Sequence, residues 1–468
     1  MPRFRFRFLS LLLVFLTPGT FAFVELPPLA VRHGIHPNPC FATINKDEGE
    51  AFLPGVSCSG ERIAVVGATG YIGKAVVRES IRRGYPTTAV VRPGSNFDAA
   101  SLMGNVSANV NDNDNDNASV SNQQPTNKVF VSSSHGAGEV ELSPPPPLTV
   151  HRFDVSKMEP PSPEAPLGAR EDSPVLFEPG SVDVVVCCLA SRNGTPRESF
   201  AVDYLASLRA AEAARAAGAR RFVLLSAYCV KSAEREEPHA LQFQYAKKKL
   251  EDALAEMAEE SNGAFSYVAV RPTAFFKSVS GQLEAVRAGG PFVLFDLGAG
   301  ATAACNPISE SDLASALIDQ VLDNTHANTH WNLGGPDSPG LDKLGQMESM
   351  VGALGLDRPP VLVYVPIGVL HFLVGTFQWL ADAFRSDKLA DAAELARIVR
   401  YYAMEDMLTT SPDERYGEMT TQQHYENIAK NGQEYDPYTS AYGILKDRER
   451  ILEESSKAVA ASAAGMAN

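Results

Sequence analysis

No C-x-x-C pair occurs among the six cysteines, Cys40, Cys58, Cys187, Cys188, Cys229 and Cys305. That removes zinc knuckles and iron–sulfur ligation from consideration. No apolar run approaches the roughly 18 residues a spanning helix needs, so no transmembrane segment is expected. Basic charge is scarce: 41 Lys and Arg face 56 Asp and Glu, a net charge of −15. Nucleic-acid binders present a basic face, so nucleic acid is not an expected partner. The histidines, His239 and His371 among them, show no metal-ligand spacing, and no metal is expected. No internal repeat is visible. Free thiols in a reducing compartment are the simplest reading of the cysteines.

What is present is an ordinary globular mixture, 44% hydrophobic and 21% charged over 468 residues. Residues 1–22 read as a signal peptide: Arg3, Arg5 and Arg7 lead into the short apolar core Leu9 to Leu16, and small residues sit at Thr20 and Ala22. Residues 23–59 are irregular and read as transit-like. A signal peptide cut before Phe23 and followed by such a stretch resembles the bipartite presequences of algae with complex plastids. A plain secretory signal is the alternative, and only then would the Asn-x-Ser/Thr matches at Asn105, Asn117 and Asn193 matter.

From residue 60 the pattern is α/β. Ile63 to Val66 is a buried strand, residues 73–83 an amphipathic helix closed by Gly84, and Thr87 to Val91 a second strand. Such βαβ units imply a parallel sheet. Residues 95–147, with an Asn/Asp alternation at 111–117 and prolines at 144–147, read as a disordered insertion. The pattern resumes with strands at 148–155, 182–187, 221–225 and 267–271, and helices at 201–217 and 241–259. The whole predicts a doubly wound, Rossmann-type domain over 60–275. Residues 276–457 read as a mainly helical substrate-binding part, with helices at 309–323 and 340–354 and an irregular stretch at 331–339. Residues 458–468 read as a frayed tail.

Gly67, Gly70 and Gly73 are spaced G-x-x-G-x-x-G between a buried strand and a helix. That is the context in which glycines permit a tight turn, close approach of a pyrophosphate, and tight helix–strand packing. The segment Gly67-Ala-Thr69-Gly70-Tyr71-Ile72-Gly73 would set the pyrophosphate on a helix N-terminus. Arg92 follows the second strand, where an acid would hold an NAD ribose. A basic residue there accommodates a 2′-phosphate, so NADPH is the expected cofactor. Asp154 and Val155 fall where such folds meet the adenine, and Leu189, Ala190 and Ser191 beside the pyrophosphate and nicotinamide ribose.

Seven further-specified segments run in order: Val66-Gly-Ala-Thr-Gly-Tyr-Ile-Gly73, Cys188-Leu-Ala-Ser-Arg192, Phe222-Val-Leu-Leu-Ser-Ala227, Phe243-Gln-Tyr-Ala-Lys247, Val270-Arg-Pro-Thr-Ala-Phe-Phe-Lys-Ser278, Pro307-Ile-Ser-Glu310 with Asp312-Leu-Ala314, and Arg400-Tyr-Tyr-Ala403. Together they resemble the plant-type, NADPH-dependent divinyl chlorophyllide 8-vinyl reductases, atypical, NmrA-like short-chain dehydrogenases. The resemblance covers about residues 61–455 apart from the insertion. It implies plastid targeting, a tetrapyrrole substrate and reduction of its 8-vinyl group to ethyl. Peripheral association with plastid membranes stays open. Ferredoxin-linked vinyl reductases would need cysteine clusters that this chain lacks.

Short-chain dehydrogenases carry Tyr-x-x-x-Lys on one helix face, the Lys holding the nicotinamide ribose and the Tyr exchanging a proton. Tyr245 with Lys249 satisfies the spacing literally. The longer family frame fits Phe243, Ala246, Lys247 and Glu251 and puts Phe243 in place of the Tyr. Reducing a vinyl group makes no alkoxide, so a weaker acid suffices. Lys247, Ser226 and Tyr245 are the catalytic candidates, with Tyr228 an alternative to Ser226. Lys247 also contacts the cofactor. Pro272 and Thr273 would meet the nicotinamide carboxamide. Phe275 and Phe276 would stack on a ring, and Lys277 would pair with a substrate carboxylate or a cofactor phosphate. A non-catalytic NADP(H) sensor of the NmrA type, another atypical reductase or epimerase, and an accessory subunit of a membrane complex are the rivals.

Overall fold

A computed structural model of the chain describes residues 60–95, 97–99, 128–133, 136–141, 148–158 and 175–432. The signal, transit and tail readings, and Cys40, Cys58, Asn105 and Asn117, lie outside the described residues.

Seven parallel strands form the central sheet: β1 (Ile63–Val66), β2 (Thr87–Val91), β5 (Leu148–Arg152), β6 (Val184–Cys187), β7 (Arg221–Leu225), β8 (Ser266–Pro272) and β10 (Thr329–Leu333). Their order is β10-β8-β7-β6-β1-β2-β5. The chain winds outward from β1 to β2 and β5, then crosses back to β6 on the other side. That reversal opens a crevice beyond the carboxyl ends of β1 and β6, where doubly wound sheets bind ligands.

β1 and β6 are buried on both faces, which is why they read as continuous Val-rich runs and not as alternations. Two apolar layers flank the sheet. On one face Ile63, Val65 and Val186 pack against α1 (Tyr71–Arg82) and α4 (Glu310–Asp319). On the other, Ala64, Val66 and Val185 pack against α2 (Ser207–Ala216) and α3 (Gln242–Glu260). α1 and α4 are also tied by charge. Buried Glu79 accepts from Arg82, Arg83 and Ser315, and Arg83 reaches Asp319.

The sequence reading differs from the structure in three places. Residues 331–339 were expected to be irregular, yet β10 forms the sheet edge there. Its Thr-His-Trp-Asn-Leu alternates polar and apolar residues, as a half-covered edge strand does. Within the insertion read as disordered, β3 (Lys128–Ser133) and β4 (Gly136–Glu141) pair antiparallel. The Val-Phe-Val run of β3 supports a strand, and the neighbouring Asn/Asp and Pro tracts obscured it. Beyond the sheet, β9 (Phe292–Asp296) and β11 (Leu362–Pro366) pair in parallel, an element with no expectation attached.

The carboxyl-terminal part is otherwise helical: α5 (Lys343–Leu354), α6 (Gly368–Phe384), α7 (Asp387–Met404) and α8 (Thr421–Asn431). Its own core joins Leu283, Phe292, Met350 and Tyr425. A second cluster, with Cys229, Leu241, Phe276, Ile398 and Tyr401, binds this part to the rim of the sheet. Among the described residues no helix is long and apolar enough to cross a membrane.

Candidate cofactor and substrate site

At the switch point the glycine segment forms the turn between β1 and α1. Gly67 has φ +84°, the left-handed region that favours glycine, and a Cβ there would stand 2.9 Å from the Cys188 backbone. A Cβ on Gly73 would meet the Gly67 carbonyl oxygen at 2.2 Å, so the third glycine is needed for helix and turn to touch. Gly70 is the N-cap of α1 and supplies no side-chain cap, and no acid sits in the first turn. The start of the helix thus carries no negative side chain, and the helix dipole there favours an anion. The cradle fits a dinucleotide pyrophosphate.

Around this cradle, Thr69 and Tyr71 are half-buried and Ile72 is buried in the first turn of α1. The Tyr71 hydroxyl donates to Glu310 Oε2 at 2.7 Å. Lys277 Nζ lies 4.9 Å from the centroid of the Tyr71 ring. Lys277 therefore stands near the start of α1. Arg92 is exposed just past β2. Its carbonyl accepts from Ser95 N and Oγ, while Arg152, in register with Val91, donates to the Ser95 carbonyl at 3.2 Å. Arg152 is a second cation at this rim that sequence reasoning missed; its place opposite Val91 is visible only once β2 and β5 are paired. Asp154 caps the short helical turn at Val155, taking Ser156 N and Oγ, and these bonds hold its carboxyl below the usual range. Leu189, Ala190 and Ser191 line the exit of β6, with Ala190 exposed.

Lys247 is buried at 6% exposure on α3. Its Nζ lies 3.3 Å from Asp203 Oδ1 and 3.4 Å from the Leu225 carbonyl. Asp203 was missed as well. The available signal was a lone acid inside the apolar run Phe200-Ala-Val-Asp-Tyr-Leu-Ala206. Phe243, one turn before Lys247, is half-buried and packs against the cluster that includes Cys229, Leu241, Ile398 and Tyr401.

The remaining expected site residues sit as follows. Tyr245 is 39% exposed on α3, one turn before Lys249 and on the same face. Lys249 lies over the rings of Phe200 and Tyr204. Ser226 is buried and its hydroxyl donates to Glu251 of α3, which in turn binds Arg271. Phe276 is fully buried, and its ring lies tilted against that of His424 with centroids 4.5 Å apart. Phe275 is half-buried. Pro272 and Thr273 are buried at the end of β8, and the Thr273 hydroxyl donates to the Asn306 carbonyl. The Tyr228 hydroxyl donates to the Leu408 carbonyl at 2.8 Å.

The four described cysteines are buried and free, and burial pushes the Cys187 and Cys188 thiols up. Two groups of mixed carboxylates and histidine also gather. In one, Glu234 and Glu251 beside His330 already bind Arg271; in the other, His239 sits between Glu237 and Glu405.

The sheet, its switch point and the glycine cradle define an NAD(P)H-binding protein of Rossmann type. Matches to known proteins agree. A model described as the NmrA-like family matches residues 59–140, and one described as NAD(P)H-binding matches residues 180–324. The chain is 38% identical over 380 residues to the chloroplastic divinyl chlorophyllide a 8-vinyl-reductase of Oryza sativa subsp. indica, covering 79% of each. It is 35% identical over 384 residues to the protein of that name from Arabidopsis thaliana, covering 79% of this chain and 77% of the relative. The chain belongs to the divinyl chlorophyllide a 8-vinyl-reductase family. Similar solved structures include pinoresinol–lariciresinol and phenylcoumaran benzylic ether reductases (18% identity, TM-score 0.46, 78% of this chain and 98% of that one). Another is a nucleoside-diphosphate-sugar epimerase from Staphylococcus aureus (14%, TM-score 0.45, 78% and 99%).

Proposed function

We propose that this chain reduces the 8-vinyl group of a 3,8-divinyl (proto)chlorophyllide a to an ethyl group with NADPH, in a plastid, as a step of chlorophyll biosynthesis. The observation that carries the reading is the identity of 35–38% to reductases of that name over 79% of the chain. The crevice chemistry supports it. NADPH bound there supplies the hydride. The amides of the Gly67–Gly73 turn hold the pyrophosphate, Arg92 meets the 2′-phosphate, and Lys247 holds the nicotinamide ribose. Phe243 stands where a carbonyl reductase needs its acid. Hydride addition to a vinyl group spreads charge into the macrocycle, so the proton that completes the ethyl group can come from a weak acid or from solvent. Phe275 lines the substrate side.

The plastid address would be delivered by a signal peptide over 1–22 and a transit segment over 23–59. The chain divides into a cofactor domain over 60–275, carrying the 95–147 insertion, a substrate part over 276–457 and a tail over 458–468. Peripheral contact with plastid membranes belongs to the same proposal. Its support is α6, where Phe372 and Trp379, seven residues apart on one helical face, are 72% and 66% exposed.

The test incubates the purified chain with NADPH and 3,8-divinyl chlorophyllide a, follows the Soret band and separates the pigments. A blue shift with a monovinyl product is expected. No product, with NADPH binding measured separately, would overturn the activity and leave an NADP(H) sensor.

A further inference from the structure

Asp203 is 1% exposed, in the middle of the π-helical stretch Ser199–Ala206 that leads into α2. Such wide turns occur singly within helices and concentrate at functional sites, because they rotate one side chain out of the helical register. Here the turn is held by the Ser207 hydroxyl, which donates to the Val202 carbonyl at 3.0 Å. The side chain thus presented joins two elements of the cofactor crevice through a single oxygen. Oδ1 lies 3.3 Å from Lys247 Nζ on α3 and accepts from Ser191 N, past the end of β6, at 3.2 Å. The other oxygen, Oδ2, is buried and has no partner.

This is a poor arrangement for stability alone. A buried carboxylate with half of its acceptors unmatched costs free energy, and a buried ion pair is weak evidence for a stabilising role. It is a good arrangement for aiming a lysine. An ammonium has three donors. On Lys247 the Leu225 carbonyl takes one and Asp203 takes another. The third is then fixed in direction, and one side of the lysine remains for a ligand. Restraint of this kind lowers the entropy lost when a ligand hydroxyl is bound.

We propose that Asp203 is the positioning residue for Lys247, orienting its remaining donor toward the nicotinamide ribose of NADPH. The inference rests on the reading of the crevice as an NADPH site. Its test needs no tetrapyrrole, so failure of the vinyl-reductase activity would leave it standing.

The experiment is a double-mutant cycle on cofactor binding, with Asp203→Asn, Lys247→Met and both together in the full chain. The readout is NADPH affinity by fluorescence. A second ligand, 2′,5′-ADP, carries the 2′-phosphate and the adenosine-side 5′-phosphate but no nicotinamide ribose, and reports whether the adenosine half of the crevice is intact. Each single variant is expected to weaken NADPH about tenfold, the effect of one charged contact, with 2′,5′-ADP affinity unchanged. The double variant should bind NADPH no worse than Lys247→Met alone. Penalties that multiply would overturn the proposal, because independent sites add in free energy. So would equal losses for both ligands, which would mark Asp203 as a structural brace of the Ser191 loop. A wild-type chain that binds 2′,5′-ADP and gains nothing from the nicotinamide half would overturn it as well. Should Asp203→Asn fail to fold, Asp203→Glu replaces it, and an NADPH affinity of that variant equal to wild type would overturn the aiming.

Discussion

In the proposed function, Arg92 is the residue on which cofactor choice turns. It is exposed beyond β2, and Arg152 on the neighbouring strand is tethered to the same four-residue turn. A guanidinium at this place favours a 2′-phosphate, where a carboxylate would bind a free ribose hydroxyl. Arg92→Asp should therefore lower NADPH affinity about tenfold to a hundredfold, the range of a charged hydrogen bond, and leave NADH affinity the same or better. Titration with both nucleotides decides it, and an unaltered preference ratio would show that another group reads the phosphate. The glycine turn and the position of Arg92 at a strand end could be placed from sequence because they depend on local spacing: a turn, a helix start, a strand end. The surroundings of Ser226 and Phe276 could not, because they depend on what packs against each. Ser226 is claimed by Glu251, and Phe276 by His424, partners that lie 25 and 148 positions along the chain. Asp203 and Arg152 were missed for the same reason, since their neighbours are neighbours only in the folded sheet.

Among elements, α8 shows how burial sets a pH response. Asp337 is fully buried and its Oδ2 accepts from Thr421 N and Oγ1 at the start of the helix, while Oδ1 has no partner. Burial pushes its carboxyl from 3.8 up to about 6. His424, one turn further on, is hydrogen-bonded to Ser280 at 2.7 Å, and burial lowers it from 6.5 to about 4. The signs oppose. Folded Asp337 holds its proton more tightly than the unfolded chain does, so its contribution to stability falls as pH rises from 3.8 to about 6. Folded His424 resists its proton, so its contribution falls as pH drops from 6.5 to about 4. Together they leave α8 docked with little net pH dependence across the overlap. Asp337→Asn keeps an acceptor for Thr421 and removes the charge. Relative to wild type it should gain roughly 1–3 kcal/mol above pH 6.5 and nothing near pH 4. Denaturant unfolding at several pH values measures that difference, and a constant offset would refute the assignment to Asp337. At this scale the strands with strong apolar runs were legible, β2 and β7 to the residue. β10 was not, because an edge strand of mixed polarity has no pattern distinct from a loop. β9 and β11 were not, because each is short and finds its partner across some 70 residues.

For the molecule as a whole, the exposed aromatics of α6 set the terms on which it could meet a lipid surface. The net charge is −15, so attraction to anionic headgroups cannot drive the contact. Phe372 and Trp379 can, since aromatic side chains on one helical face settle at the boundary between headgroups and acyl chains. Such contact is interfacial, consistent with the absence of any sufficiently long apolar helix among the described residues. Two consequences separate this mode from an electrostatic one. Flotation with neutral galactolipid vesicles should be retained in about 0.5 M salt, where the Debye length is only a few ångströms. Phe372→Ser with Trp379→Ser should abolish it, while NADPH affinity, set at the switch point of the sheet by other elements, stays as in wild type. Binding that disappears with salt would assign the attraction to charge. No flotation at all would leave the α6 face for a protein surface, and the membrane contact would have to be given up.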